Sequence, residues 1–228
     1  MSLFNIIGPI MVGPSSSHTA GAVRIGLMAR ALLKDEPVKG EIYLYGSFAQ
    51  TGSGHGTDRA LVAGILGMQP DDMRIPASFE VAKQKGFVFR IGTVKLSDAH
   101  PNTVLICLQG KKGRKMEMQA ASVGGGRIRI EKLDGIKVNF TGENPTLIVH
   151  NLDQPGHVAE VTSMLAHKAV NIASMQLYRE QRGEYAVMVI ETDQAIPANA
   201  ITWLEHLEGI IKVTYFNGEY NEAEESHF

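Results

Sequence analysis

The hydrophobic positions of the chain change period along its length. From Ser17 to Lys34, Ala22, Val23, Ile25, Leu27, Met28, Leu32 and Leu33 recur at the spacing of a helix face, with Arg24, Arg30 and Lys34 on the polar side. The serines just before this helix suit its N-cap, where a side-chain oxygen accepts an orphan backbone N–H. Gly40–Gly46 alternates, Ile42 and Leu44 on one face and Tyr43 and Tyr45 on the other, and predicts a strand. A glycine-rich loop at 51–57 leads into a second helix carrying Ala60, Leu61, Ile65 and Leu66. A break at 70–76 and a short helix around 78–84 follow. From Phe87 to Phe140 the pattern is β, with GKKG at 110–113 as a hairpin signal and Gly124–Gly126 interrupting a further strand pair. Helices first and strands later predict an α+β domain.

Gly142–Pro145 has linker chemistry, and the pattern restarts after it. Strands are expected at 147–150, 172–179, 184–191 and 210–216, and helices at 156–167 and 197–207. That is βαββαβ, a ferredoxin-like order. The expected organisation is a domain at 1–145, a second at 146–219 and an acidic tail at 220–228.

Composition sharpens this division. With 44% hydrophobic and 20% charged residues, a normal core is available and wholesale disorder is excluded. The net charge of −2 conceals an asymmetry. Residues 1–145 carry 18 Lys and Arg against 12 Asp and Glu, and residues 146–228 carry 4 against 12. A global basic field for nucleic acid is therefore absent, and the basic half suits an anionic small molecule. Ser2–Val12 is a poor signal peptide and no apolar run approaches a bilayer span, so a cytoplasmic protein without membrane or nucleic-acid partners is expected. Cys107, the single cysteine, supplies at most one thiolate to a metal site.

Several segments concentrate chemistry. GPSSSHT, Gly13–Thr19, places Ser15, Ser16, Ser17, His18 and Thr19 ahead of a helix, where free N–H groups favour an anion; a simple capping loop with a solvated histidine is the alternative. TGSGHGTD, Thr51–Asp58, flanks His55 with glycines so that a ligand can approach the imidazole, and Asp58 is placed to orient the ring. The alternative there is a flexible turn. The glycine spacing fails the dinucleotide fingerprint, and no Lys-Ser/Thr pair completes a phosphate loop. His100 and Asn102 lie in AHPNT; a zinc site from His18, His55 and His100 is chemically possible but has no local signature. SVGGGR, Ser122–Arg127, is an anion nest or a β-bulge. NLDQPGH, with Asn151, Asp153, Gly156 and His157, is either a plain strand-to-helix turn or one that a ligand or partner chain approaches. Met164, Met175 and Met188 are core filler.

GPSSSHT and GSGHGTD, with AHPNT and SVGGGR in order behind them, closely resemble the β chain of the two-subunit bacterial iron–sulfur L-serine dehydratases. The βαββαβ segment resembles an ACT domain, and the N-terminal region is similar in fold to the allosteric substrate-binding domain of long 3-phosphoglycerate dehydrogenases. The resemblance implies conversion of L-serine to pyruvate and ammonia. It implies a [4Fe–4S] cluster ligated by a partner α chain, with no metal ligand in this one. His55 and Asp58 become the catalytic candidates, the first as the base that removes the α-proton. Ser15, Ser16, Ser17, His18, Thr19, His100 and Asn102 become substrate-binding candidates. Asn151, Asp153, Gly156 and His157 become effector candidates of an ACT domain that also self-associates. The competing reading is a non-catalytic module that senses an anion and an amino acid. An exposed imidazole backed by a carboxylate in GHGTD argues against it, because a sensor needs no such pair.

Overall fold

The computed structural model of the chain describes residues 11–13, 15–51, 54, 56–179 and 181–218. These residues form two compact units, the first ending at Gly135 and the second beginning at Ile136.

In the first unit, the helix expected from Ser17 is present but opens with a π-helical turn, Ser16–Gly21, before α1 (Ala22–Leu33). Ser15 caps the turn, its Oγ accepting the His18 N–H at 3.1 Å. Such wide turns are rare and cluster at functional sites. Strand β1 (Pro37–Leu44) is followed by α2 (Ser47–Thr51), α3 (Thr57–Ile65), α4 (Ser78–Lys85) and β2 (Val88–Thr93). β2 runs parallel to β1. The helices between them are thus a crossover connection, an arrangement that strict separation of helices from strands does not anticipate. β3 (Thr103–Gly110), β4 (Lys115–Gly124) and β5 (Arg127–Leu133) complete an antiparallel run, giving the order β2-β1-β3-β4-β5. The hairpin expected at GKKG joins β3 to β4, and the Asp35 carboxylate holds it by accepting the Lys112 N–H at 2.8 Å.

Alternate residues of these strands bury one face: Ile42, Val104, Ile106, Met118 and Ala120 pack beneath α1, whose Ile25, Met28 and Leu32 are buried in turn. α3 crosses α1 at a glycine pair. A Cβ on Gly64 would stand 2.0 Å from the Val23 carbonyl oxygen, and one on Gly26 would stand 2.4 Å from that of Leu61. The two backbones therefore touch, which no side chain permits. On the opposite sheet face, Glu41, Cys107 and Glu117 form one cross-strand row beside a shallow hollow of about 360 Å³.

In the second unit, β6 (Ile136–Phe140) packs on two later strands and donates the Asn139 N–H to the Tyr178 hydroxyl at 3.0 Å. The expected βαββαβ order follows: β7 (Thr146–Leu152), α5 (His157–His167), β8 (Ile172–Arg179), β9 (Tyr185–Thr192), α6 (Ala198–Glu205) and β10 (Ile210–Phe216). The sheet order β10-β7-β9-β8, antiparallel throughout, is that of a ferredoxin-like fold. Leu147, Val149, Met188, Ile190 and Val213 meet Val161, Leu165, Ala200 and Leu204 in its core. Val187 and Val189 are buried as well, so β9 is covered on both faces.

Candidate active site

The π-helical turn places His18 where both ring nitrogens meet hydroxyls. Ser15 Oγ lies 3.3 Å from Nδ1 and Ser47 Oγ 3.2 Å from Nε2, while the Phe48 ring stands edge-on at 5.4 Å between centroids. The ring is held on three sides. Ser16 and Ser17 sit half-buried in the same turn. Thr19 faces inward instead: it is buried beneath Gly13, and its hydroxyl has no hydrogen-bond partner among the described residues.

AHPNT arrives at the same place. The Ser47 N–H donates to the Pro101 carbonyl at 2.7 Å, and Gly46 packs on Pro101 with φ +57. His100 Nδ1 accepts the Asn102 N–H at 3.2 Å, so the histidine braces its own turn. The Asn102 carbonyl accepts the Ser122 N–H at 3.0 Å, which ties this loop to SVGGGR. Ser122 is fully buried, its hydroxyl without a partner, against Gly21; a Cβ on that glycine would lie 2.1 Å from it. The pairing register shifts between Ser122 and Gly124, and all three glycines have positive φ, so SVGGGR is a bulged turn. Arg24 of α1 donates to the Gly126 carbonyl at 2.9 Å and fastens it.

The third segment joins through Thr51, whose hydroxyl donates to the Ser47 carbonyl at 2.8 Å. Gly52, Ser53 and His55 lie outside the described residues, as does Pro14. Asp58 occupies the first turn of α3, where a carboxylate complements the helix dipole, and its Oδ1 accepts the Arg59 N–H at 2.8 Å. Thr57 beside it is fully buried, its hydroxyl without a partner among the described residues. Hydroxyl and imidazole groups thus line the cluster, a donor-rich setting for a carboxylate ligand.

The effector candidates differ among themselves. Gly156 has φ +111 and open space where a Cβ would point, so this turn admits close approach. Asp153 is engaged with the β8–β9 turn: it accepts the Gly183 N–H at 2.9 Å and an Arg179 N–H at 2.8 Å. Those bonds, the Gly183 one foremost, hold its carboxyl below the usual range. His157 is buried against Gly209, with Nδ1 3.1 Å from Glu160. Asn151 is buried too; its amide donates to the Leu152 carbonyl, and its own oxygen has no partner.

Ser47 and Ser122 are the participants that sequence reasoning missed as single residues. Ser47 follows a strand in an ordinary turn and carries no motif. Ser122 was visible only as part of a glycine-rich segment.

Among known proteins, the sequence model of the family described as "Serine dehydratase beta chain" matches residues 2–86, and that of the ACT domain matches residues 145–205. The probable L-serine dehydratase β chain of Bacillus subtilis (strain 168) is 41% identical over 213 residues, covering 93% of this chain and 96% of that protein. The L-serine dehydratase β chain of Peptoniphilus asaccharolyticus is 41% identical over 196 residues, 86% of this chain and 88% of that one. A D-3-phosphoglycerate dehydrogenase of Methanocaldococcus jannaschii is 28% identical over 120 residues, 53% of this chain but 22% of the enzyme. With matches of 41% that run nearly end to end on both sides, the chain belongs to the family of L-serine dehydratase β chains.

Proposed function

We propose that this chain is the β subunit of a cytoplasmic L-serine dehydratase and completes, with an α chain, a site that converts L-serine to pyruvate and ammonia. The observation that carries the reading is the cluster around His18, where the segments singled out as substrate-binding converge through short hydrogen bonds. The two relatives that are 41% identical, both L-serine dehydratase β chains by name, support the same substrate.

The residues of this chain do not fit an iron–sulfur cluster. Cys107 is one thiol, and burial, with Glu117 and Glu41 nearby, pushes its pKa up to about 11. A cluster ligand is a thiolate, and a cluster needs several. No group of three His, Cys, Asp or Glu among the described residues is arranged to hold a metal ion. The cluster implied by the resemblance is accordingly assigned to the α chain, and no step below runs through it.

In this reading the Ser16 and Ser17 hydroxyls hold the substrate carboxylate, Ser15 and the His18 imidazole hold it through the hydrogen-bonded chain that runs on to Ser47, and the AHPNT turn with His100 and Asn102 closes that end. His55 takes the α-proton. A neutral imidazole suits that role because its ordinary pKa lies near working pH. Asp58 orients it from the start of α3. Loss of the proton and of the β-hydroxyl as water leaves aminoacrylate, which tautomerises to an imine and is hydrolysed to pyruvate and ammonia.

The test is co-expression with the α chain and an anaerobic assay of pyruvate formed from L-serine. Pyruvate formation that requires both chains is expected. A chain that binds serine but leaves the α chain equally active without it is a sensor, and the catalytic reading then fails.

A further inference from the structure

Ser47 lies outside every motif considered above, yet three of those segments join through it. Its hydroxyl is 3.2 Å from His18 Nε2, its N–H donates to the Pro101 carbonyl at 2.7 Å, and its carbonyl accepts the Thr51 hydroxyl at 2.8 Å. Gly46 before it is pressed against Pro101, where a Cβ would stand 2.4 Å from the carbonyl oxygen. The main chain of Ser47 is therefore fixed independently of its side chain.

We propose that Ser47 is a positioning residue that, together with Ser15, sets the tautomer and ring orientation of His18. The polarity of the chain of bonds follows from its other end. Ser15 Oγ already accepts the His18 backbone N–H at 3.1 Å, and it stands 3.3 Å from Nδ1. A hydroxyl that accepts one bond still has its own proton to donate, and Nδ1 at 3.3 Å is placed to accept it. Nδ1 then carries no hydrogen. The proton of the neutral ring sits on Nε2 and goes to Ser47 Oγ, since the bond at one imidazole nitrogen decides the state of the other. Ser47 keeps a hydroxyl proton for an acceptor brought by a ligand, and a carboxylate oxygen has that chemistry. The consequence for catalysis rests on reading His18 as a substrate contact; the tautomer does not.

The test uses the full-length chain labelled with ¹⁵N-histidine. Long-range ¹H–¹⁵N correlation spectra report which ring nitrogen is protonated, and the His18 signals are identified by their loss in His18→Gln. The expected wild-type pattern is the Nε2–H form. Ser47→Ala is expected to mix the tautomers and Ser47→Thr to restore the single form. Ser47→Ala retains the backbone bonds to Pro101 and Thr51. Ser15→Ala, which frees Nδ1, provides a second route to the same mixing. An Nδ1–H wild type, or an unchanged His18 pattern in Ser47→Ala, overturns the proposal. With the α chain present, Ser47→Ala is expected to raise KM for L-serine about tenfold, the worth of one hydrogen bond, with recovery in Ser47→Thr. Mixed tautomers with unaltered kinetics leave Ser47 as the positioning residue and overturn the substrate-contact reading of His18 instead.

Discussion

The histidines of this chain are told apart by what holds them. His18 is gripped at both ring nitrogens by Ser15 and Ser47, a geometry suited to a contact that is the same in ground and transition states. Replacing it by alanine is therefore expected to raise KM for L-serine while kcat changes little. His55→Ala is expected to lower kcat by about 10²–10⁴-fold, the range for a positioned acid–base group, with Asp58→Asn between the two variants. Steady-state kinetics of the assembled enzyme decide this, and a wild-type kcat in His55→Ala would remove the catalytic assignment. Cys107 offers a check without catalysis. Burial and two neighbouring carboxylates move its pKa from 9.0 to about 11, so its thiolate is scarce at pH 8 by about a hundredfold relative to an unperturbed thiol. Alkylation by iodoacetamide is expected to be slower by that factor, and to quicken as the pH rises toward 11. A rate matching that of a free thiol at pH 8 would contradict the half-buried setting beside two carboxylates.

At the scale of elements, the contact between α1 and α3 is the most constrained feature of the first unit. Gly26 and Gly64 are each helical, where glycine is intrinsically unfavourable by roughly 1 kcal/mol, and the close crossing accounts for both. Gly64→Ala should therefore destabilise despite the gain in helix propensity. Overpacking of this kind costs about 1–3 kcal/mol, or roughly 2–10 °C in Tm for a chain of this length. Thermal unfolding measures it, and an unchanged or raised Tm would show that the helices can separate freely. α1 also carries the π-helical turn, and Ser122 of β4 fills the space that a side chain at Gly21 would take. The sequence pattern shows the helix, because the period of its apolar residues runs through Leu33. It does not show the wide turn, which packs against a strand about a hundred residues later. α2 was missed for a related reason: Ser47–Thr51 is too short to express a period, and its place is set by Pro101.

For the whole molecule, the proposed dependence on an α chain has a direct consequence. The isolated chain should be colourless and inactive even after anaerobic treatment with iron and sulfide, because its single thiol is protonated and no group of three His, Cys, Asp or Glu among the described residues is arranged to hold a metal ion. A brown, active preparation of this chain alone would refute the two-subunit proposal. The second unit is expected to drive self-association through residues 146–219. Gly156→Trp is expected to disturb it or any effector response, since φ +111 excludes most side chains and the space beyond is open. Sedimentation of full-length wild type and variant, with and without candidate amino acids, checks this; identical behaviour of the two would remove the role of that turn. Among the described residues, no helix is long and apolar enough to cross a membrane.

The boundary between what the sequence determined and what tertiary structure decided follows the range of the forces. Local periodicity was sufficient for βαββαβ, because each helix and strand there buries a face whose spacing it carries itself, and for the GKKG hairpin, because its turn residues act on their neighbours. Motif chemistry located Ser15, His18 and Asn102 within the chain. Only the fold decided that β2 lies parallel to β1, that Thr19 and His157 turn inward, and that Asp153 is bound to Arg179 and Gly183. Only the fold brought Ser47 to His18. Those outcomes depend on atoms that meet across dozens of residues, and a pattern of neighbours holds no record of them.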